Sequence, residues 1–166
     1  SDDASIDDEN FGIPSPQNEI VEGFRAAFNR KIKFLPIAMD EKFPNLREIV
    51  VQKCSIQKIS AENFKNLKKL HKLNLRDNEI AVLGANLFDD LTSLIDLDLG
   101  YNKLREIDGN CLGSLRNLRG TSLAGMNLKQ LPPQLFRNNK KLVTIGMDDN
   151  LIEEIPENTF DDLTNL

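Results

Sequence analysis

Residues 70–80 read Leu-His-Lys-Leu-Asn-Leu-Arg-Asp-Asn-Glu-Ile, and residues 94–104 read Leu-Ile-Asp-Leu-Asp-Leu-Gly-Tyr-Asn-Lys-Leu. The two stretches lie 24 residues apart and place leucines and an asparagine at the same offsets. Leu46, Leu70, Leu94, Leu118, Leu142 and Leu166 carry the same beat without insertion. A fixed period of this length, with apolar residues at offsets 0, 3 and 5 and Asn or Cys at offset 8, marks a stack of short coils. The phase can be checked across five units beginning at residues 46, 70, 94, 118 and 142. Offsets 0, 3, 5, 10, 13, 18 and 21 give 35 positions, of which 33 are apolar. A composition that is 40% hydrophobic would place about 14 there by chance. The exceptions, Thr121 and Asn139, both fall in the fourth unit.

One unit predicts the fold. Leu73 and Leu75 point inward while His71, Lys72, Asn74 and Arg76 point outward, the period-2 pattern of a strand with one wet face. Successive strands are expected to lie parallel, about 4.8 Å apart. A turn carrying Asn78 follows, then inward Ile80 and Leu83, then an outer arc with Phe88 and Leu91. That arc is too short for a long helix. The expected class is an α/β solenoid, a curved horseshoe with a parallel concave β-sheet and a mostly irregular or 3₁₀ convex side.

The asparagines at offset 8 have a structural task. A buried amide donates and accepts at once, so Asn78, Asn102 and Asn150 are expected to form a ladder that satisfies backbone groups between coils. Cys54 holds that offset in the first unit. In the fourth, Met126 stands there and predicts a weak rung. Phe64, Phe88, Phe136 and Phe160 recur at offset 18 as a spine of the outer arc.

Residues 1–20 hold six acidic residues, no Lys or Arg, and Pro14 and Pro16. They read as an acidic disordered tail or linker. Residues 21–45 read as a degenerate N-terminal capping repeat. Ile32, Leu35 and Phe43 are in phase with a unit beginning at Glu22, while Val21, Phe24 and Phe28 are displaced. Residues 46–166 hold five repeats (46–69, 70–93, 94–117, 118–141 and 142–165) and the first residue of a sixth. The stack is therefore expected to be a fragment of a longer solenoid.

The net charge is −5 with no basic run, so nucleic acid is not an expected partner. No apolar stretch approaches the roughly 18 residues of a membrane span, so no membrane contact is expected from this segment. The lone His71, the repeated carboxylate pairs Asp89–Asp90 and Asp161–Asp162, and singly placed glycines provide no catalytic, metal or phosphate motif. No enzyme activity and no cofactor are expected. Cys54 and Cys111 fall two coils apart on different sides, beyond disulfide reach.

Function in such a stack resides on the concave sheet. Its outward residues drift from basic in the first units (Arg47, Lys53, Lys72, Arg76) to acidic in the last (Asp148, Asp149). The fourth unit offers small side chains, Gly120, Ser122, Ala124 and Gly125, between Tyr101 and Asp148–Asp149. This predicts a shallow notch for a partner's basic or protruding side chain, with Tyr101 as aromatic anchor. The candidate protein-binding residues are Arg76, Asp96, Asp98, Tyr101, Arg119, Ser122, Asp148 and Asp149.

Residues 46–166 resemble leucine-rich repeat (LRR) proteins. The 24-residue form with Phe at offset 18, and the stretch Glu-Ile-Pro-Glu-Asn-Thr-Phe-Asp-Asp-Leu-Thr-Asn-Leu (154–166), are similar to the "typical" class. The runs Phe-Pro-Asn-Leu-Arg-Glu-Ile (43–49) and Cys-Ser-Ile (54–56) are similar to insect members. That class includes Toll-type receptor ectodomains, adhesion proteins and secreted insect immune factors. The resemblance implies non-catalytic protein binding outside the cell, in innate immunity, receptor signalling or adhesion. An intracellular LRR scaffold or regulatory adaptor in the cytoplasm is the alternative.

Overall fold

A computed structural model describes residues 21–166; the acidic stretch 1–20 lies outside the described residues. Six short strands form one parallel sheet in the order β1 (Gly23–Ala27), β2 (Glu48–Gln52), β3 (Lys72–Asn74), β5 (Asp96–Asp98), β7 (Gly120–Ser122) and β8 (Thr144–Gly146). Every neighbour pair is parallel, and Phe24, Ile49, Leu73, Leu97, Thr121 and Ile145 lie side by side in register. Residues one beat apart are thus lateral neighbours, and the inward offsets are buried: Ile49, Leu70, Leu94, Leu97, Leu118 and Leu142 are 0% exposed. Burial at a fixed offset is what a one-dimensional stack requires, because each coil covers its neighbour's apolar face.

The rest of each coil is mostly turns. One four-residue helix, α1 (Met39–Lys42), and one 3₁₀ turn (Ala61–Asn63) occur in the early coils. A feature absent from the sequence reading is a second parallel pair, β4 (Val82–Leu83) with β6 (Glu106–Ile107), on the arm leading to the outer arc. Phe64 and Phe88 pack with ring centroids 5.4 Å apart, and Phe136 stacks on Phe160 at 6.2 Å.

The asparagine ladder is built as its chemistry demands. Asn102 Nδ2 donates to Leu75 O of the preceding coil (2.9 Å) and Leu99 O of its own (2.7 Å), and Oδ1 accepts from Ile80 N (3.0 Å). Asn78 and Asn150 repeat the pattern one and two coils away. Cys54 instead points its thiol at Gln52 O, 3.4 Å away. Both cysteines are free and buried, and burial pushes the Cys111 thiol up to about 12.

The coil of residues 21–45 differs from the sequence reading in an informative way. Phe24 is buried and pairs with Ile49, 25 residues on. The strand is therefore not displaced from its coil; one extra residue sits in the turn between Ala27 and Ile32. Phe28 ends that strand in the left-handed region (φ 59°) and is exposed, with the Lys53 ammonium 4.6 Å from its ring centroid.

The fourth coil concentrates the exceptions. Met126 is buried at the ladder position and offers Leu104 N–H no amide oxygen. Asn139, where other coils carry leucine or Phe43, is 0% exposed; its Nδ2 donates to Leu112 O and Leu115 O. Asn139 Oδ1 and Thr121 Oγ1 are buried without a hydrogen-bond partner. A buried unbonded hydroxyl costs about 1–2 kcal/mol. Thr121→Val removes it and keeps the strand's branched side chain. The expected result is a thermal midpoint about 3–6 °C higher by circular dichroism. A lower midpoint would show that the hydroxyl has a bonded partner.

Candidate functional site

The last residue before each turn on the concave face, at offset 7, adopts the left-handed conformation. Phe28, Lys53, Asp77, Tyr101, Gly125 and Asp149 all have φ between 53° and 61°. Only the fourth coil fills this place with glycine, the residue for which the conformation carries no steric cost. The row forms a rim where side chains of successive coils meet across the stack, and its contacts run along the stack. Arg30 Nη2 lies 3.3 Å from Asp77 Oδ1. The Arg76 guanidinium carbon sits 4.4 Å from the Tyr101 ring centroid, a cation–π contact. The Tyr101 hydroxyl donates to Asp149 Oδ2, two coils away.

Between Tyr101 and Asp149 stands Gly125, whose backbone is the seat of the tyrosine ring. A Cβ added there would lie 2.7 Å from Tyr101 Cδ1. The notch expected over the fourth coil is therefore covered by the protein's own tyrosine. Tyr101 lies across the small residues as a bridge from the third coil to the fifth and remains 38% exposed.

The inner rows also have structural duties. Asp98 Oδ1 accepts from Gly100 N (2.9 Å) and Ser122 Oγ from Ala124 N (3.4 Å), as Asn74 Oδ1 does from Arg76 N (3.0 Å). Asp98 also meets Arg76 Nη1 at 3.8 Å. The structure thus gathers Arg76, Asp98, Tyr101, Ser122 and Asp149 around Gly100 and Gly125. Asp148 is exposed beside the cluster. Asp96 is exposed further along the strand, with Oδ1 against Gly120. Arg119 belongs elsewhere: it lines a separate groove with His71, Asn117 and Lys141. Gly100 and Gly125 are the members the sequence reading missed as participants, since glycine appeared there only as absence of a side chain.

The Tyr101–Asp149 bond has a pH signature. Donation to the carboxylate, aided by desolvation and the Asp149 charge, raises the tyrosine above its ordinary 10.0, with Arg76 opposing. The raised value means the contact supports the fold fully below pH 10 and is lost as pH rises through the folded-state value. Tyr101 is the only tyrosine and there is no tryptophan, so ultraviolet titration reads it directly. The native midpoint is expected above 10, and Asp149→Asn is expected to lower it. A native midpoint at or below 10 would remove the bond.

Comparison with known proteins places this geometry. The family model "Leucine rich repeat" matches residues 44–95 and 68–120. Fibromodulin of Sus scrofa is 30% identical over 118 residues, covering 70% of this chain and 78% of that protein. Osteomodulin of Rattus norvegicus is 30% identical over 127 residues, covering 75% of this chain; there the chain spans only 29% of the relative's length. Among solved structures, the TLR13–ssRNA13 complex matches with TM-score 0.67 at 21% identity, over 87% of this chain and 24% of that one. The Toll–Spatzle complex of Drosophila matches with TM-score 0.63 at 17% identity, over 91% of this chain and 26% of that one. These two likenesses establish the shared solenoid. With the 24-residue register, the asparagine ladder and the sequence matches agreeing, the chain belongs to the leucine-rich repeat family.

Proposed function

We propose that this chain is a non-catalytic recognition module that binds a protein ligand on its concave face outside the cell. The supporting observation is the cluster Arg76–Tyr101–Asp149, with exposed Asp148 beside it. It offers an aromatic face, a guanidinium and carboxylates at the ends of strands of one hydrogen-bonded sheet. Exposed aromatic and Arg side chains dominate binding energy where they meet a partner, while neighbouring carboxylates steer a basic one. The relatives are extracellular-matrix leucine-rich repeat proteins, which supports an extracellular setting. The Toll–Spatzle complex supports a protein ligand and, within this reading, a role in innate immunity, receptor signalling or adhesion. Residues 21–45 then act as the terminal coil and 46–165 as the binding repeats. The acidic net charge is not an argument against nucleic acid by itself, since a neighbour of the same fold is solved with single-stranded RNA.

The test starts from extracellular proteins retained by the wild-type chain. For a purified ligand, Tyr101→Ala and Asp148→Lys are each expected to weaken binding at least about tenfold by surface plasmon resonance. Unchanged affinity in both removes the concave-face reading.

A further inference from the structure

The edge of the sheet opposite the Tyr101 rim, where each outer arc turns back into its strand, has a different chemistry. Three positions per coil reach the surface there, at offsets 22, 23 and 1. Across the coils they are occupied by Arg47, Lys68, Lys69, Arg116, Arg119, Lys140 and Lys141, together with His71, hydroxyl and amide residues, Pro44 and the exposed apolar Ile95 and Val143. From Pro44 to Asn165 these positions contain no Asp or Glu, although the chain as a whole is acidic. The surface between these rows is a shallow groove of about 590 Å³, lined by His71, Ser93, Asn117, Arg119, Lys141 and neighbours.

What distinguishes this edge is how its cations are held. Elsewhere among the described residues, five cations meet carboxylates: Arg25 with Glu48, Arg30 with Asp77, Lys65 with Glu62, Arg76 with Asp98 and Lys103 with Glu79. At the edge, Lys69 Nζ donates to Asn45 Oδ1 and Lys141 Nζ to Asn117 Oδ1, both at 2.7 Å and both one coil back. Asn117 is itself fixed, its Nδ2 donating to Thr92 O at 2.9 Å. An amide oxygen orients an ammonium without bringing a compensating charge, so two lysines are pre-positioned with no carboxylate against them. Arg116 and Arg119 are exposed and join no ion pair among the described residues. Among the described residues, the edge cations with carboxylate partners are Lys140, 3.8 Å from Asp162, and Arg47, 3.2 Å from Glu22.

We propose that this edge is a second binding surface that takes a linear sulfated polysaccharide laid along the stack, across the coils. The cations fall in two groups, Arg47–Lys68–Lys69 and Arg116–Arg119–Lys140–Lys141, on either side of the uncharged row Thr92–Ser93–Ile95; within each group neighbouring rows step by about 4.8 Å, which suits a polyanion with closely repeated charges. Ser93, Thr92 and Asn165 provide hydroxyl and amide groups of the kind that meet sugar hydroxyls. Nucleic acid of a single strand is the competing polyanion, but its recognition rests on aromatic side chains stacking on bases. These rows contain no Phe, Tyr or Trp. The assignment stands independently of the concave-face reading, because the two surfaces occupy opposite edges of one sheet.

The experiment uses heparin as the probe, with binding followed by fluorescence anisotropy from about 50 to 200 mM salt. The wild-type chain is expected to bind, with affinity falling steeply as salt rises. Arg116→Ala/Arg119→Ala/Lys141→Ala is expected to lose about tenfold or more in affinity and to flatten the salt slope by about 2–3 units. Lys53→Ala/Lys103→Ala/Lys129→Ala removes equal charge away from the edge and is expected to stay within about twofold, since exposed distant charges are screened. Tyr101→Ala is expected to leave heparin binding unchanged, which separates this surface from the concave one. Circular dichroism confirms that each variant folds; should the edge triple not fold, Arg119→Glu carries the same comparison. No binding of heparin by the wild type, or equal losses in the two triple variants, overturns the proposal. Single-stranded RNA of matched charge binding as tightly as heparin overturns the polysaccharide assignment.

Discussion

Asn102→Ala is expected to destabilise the protein by about 4–6 kcal/mol. The amide is 4% exposed and makes three hydrogen bonds to main-chain groups of two coils. Alanine leaves Ile80 N–H buried without its acceptor and takes a donor from Leu75 O and Leu99 O. Each lost bond is worth about 1 kcal/mol net, and an orphaned buried donor adds about 1–3 kcal/mol. For a chain of this size the thermal midpoint should fall by about 10–15 °C. Because each coil touches only its neighbours, the damage should also appear as local opening of the third coil. Cys111 reports it: buried with its thiol held near 12, it is inert in the native protein. Its labelling by a maleimide under native conditions is expected to accelerate in Asn102→Ala. A midpoint within about 2 °C of wild type would show that water takes over the ladder bonds.

Phe88→Ala is expected to cost about 3–5 kcal/mol by the other route, loss of packing. Phe88 is 0% exposed and its ring meets Phe64 at 5.4 Å. Truncation opens a cavity between neighbouring arcs, which have no long helix whose movement could fill it. The expected midpoint drop is about 10–15 °C with an unchanged urea m-value. Recovery to near the wild-type midpoint in Phe88→Leu would fit the third coil, where Leu112 takes the same offset and is also 0% exposed. A loss in Phe88→Ala below about 1 kcal/mol would show that the outer arc collapses around the gap and that the aromatic spine is not a packing element.

The two substitutions probe features that differ in how legible they were. Phe88, Leu97 and Asn102 could be assigned from spacing alone. Their environment is made by the residues one beat before and after, and the beat is in the sequence. The coil of residues 21–45 resisted because one inserted residue between Ala27 and Ile32 breaks the count while leaving the register of Phe24 on Ile49 intact. Hydrogen bonding across the sheet restores a phase that counting loses. The pair Val82–Leu83 with Glu106–Ile107 was invisible for another reason: two-residue strands carry no alternation to read.

The concave site was legible as a set of residue types and not as an arrangement. Arg76, Tyr101 and Asp149 could be named as outward-facing, and the small side chains of the fourth coil could be counted. Counting could not reveal that the tyrosine lies over Gly125 and ties itself to Asp149.

Periodic burial is a property of position within the repeat, so the sequence by itself determined the coil, its inward faces, the asparagine ladder and the family. Side-chain direction along the stack depends on backbone conformation at the rim and on which neighbour leaves room. The tertiary structure alone therefore decided that Tyr101 fills its own notch and that Lys69 and Lys141 of the basic edge are held by amides. Both outcomes rest on contacts between coils: a left-handed residue aims its side chain at a neighbour 24 or 48 positions away, and a lysine's charge meets an amide or a carboxylate according to the group that neighbour presents.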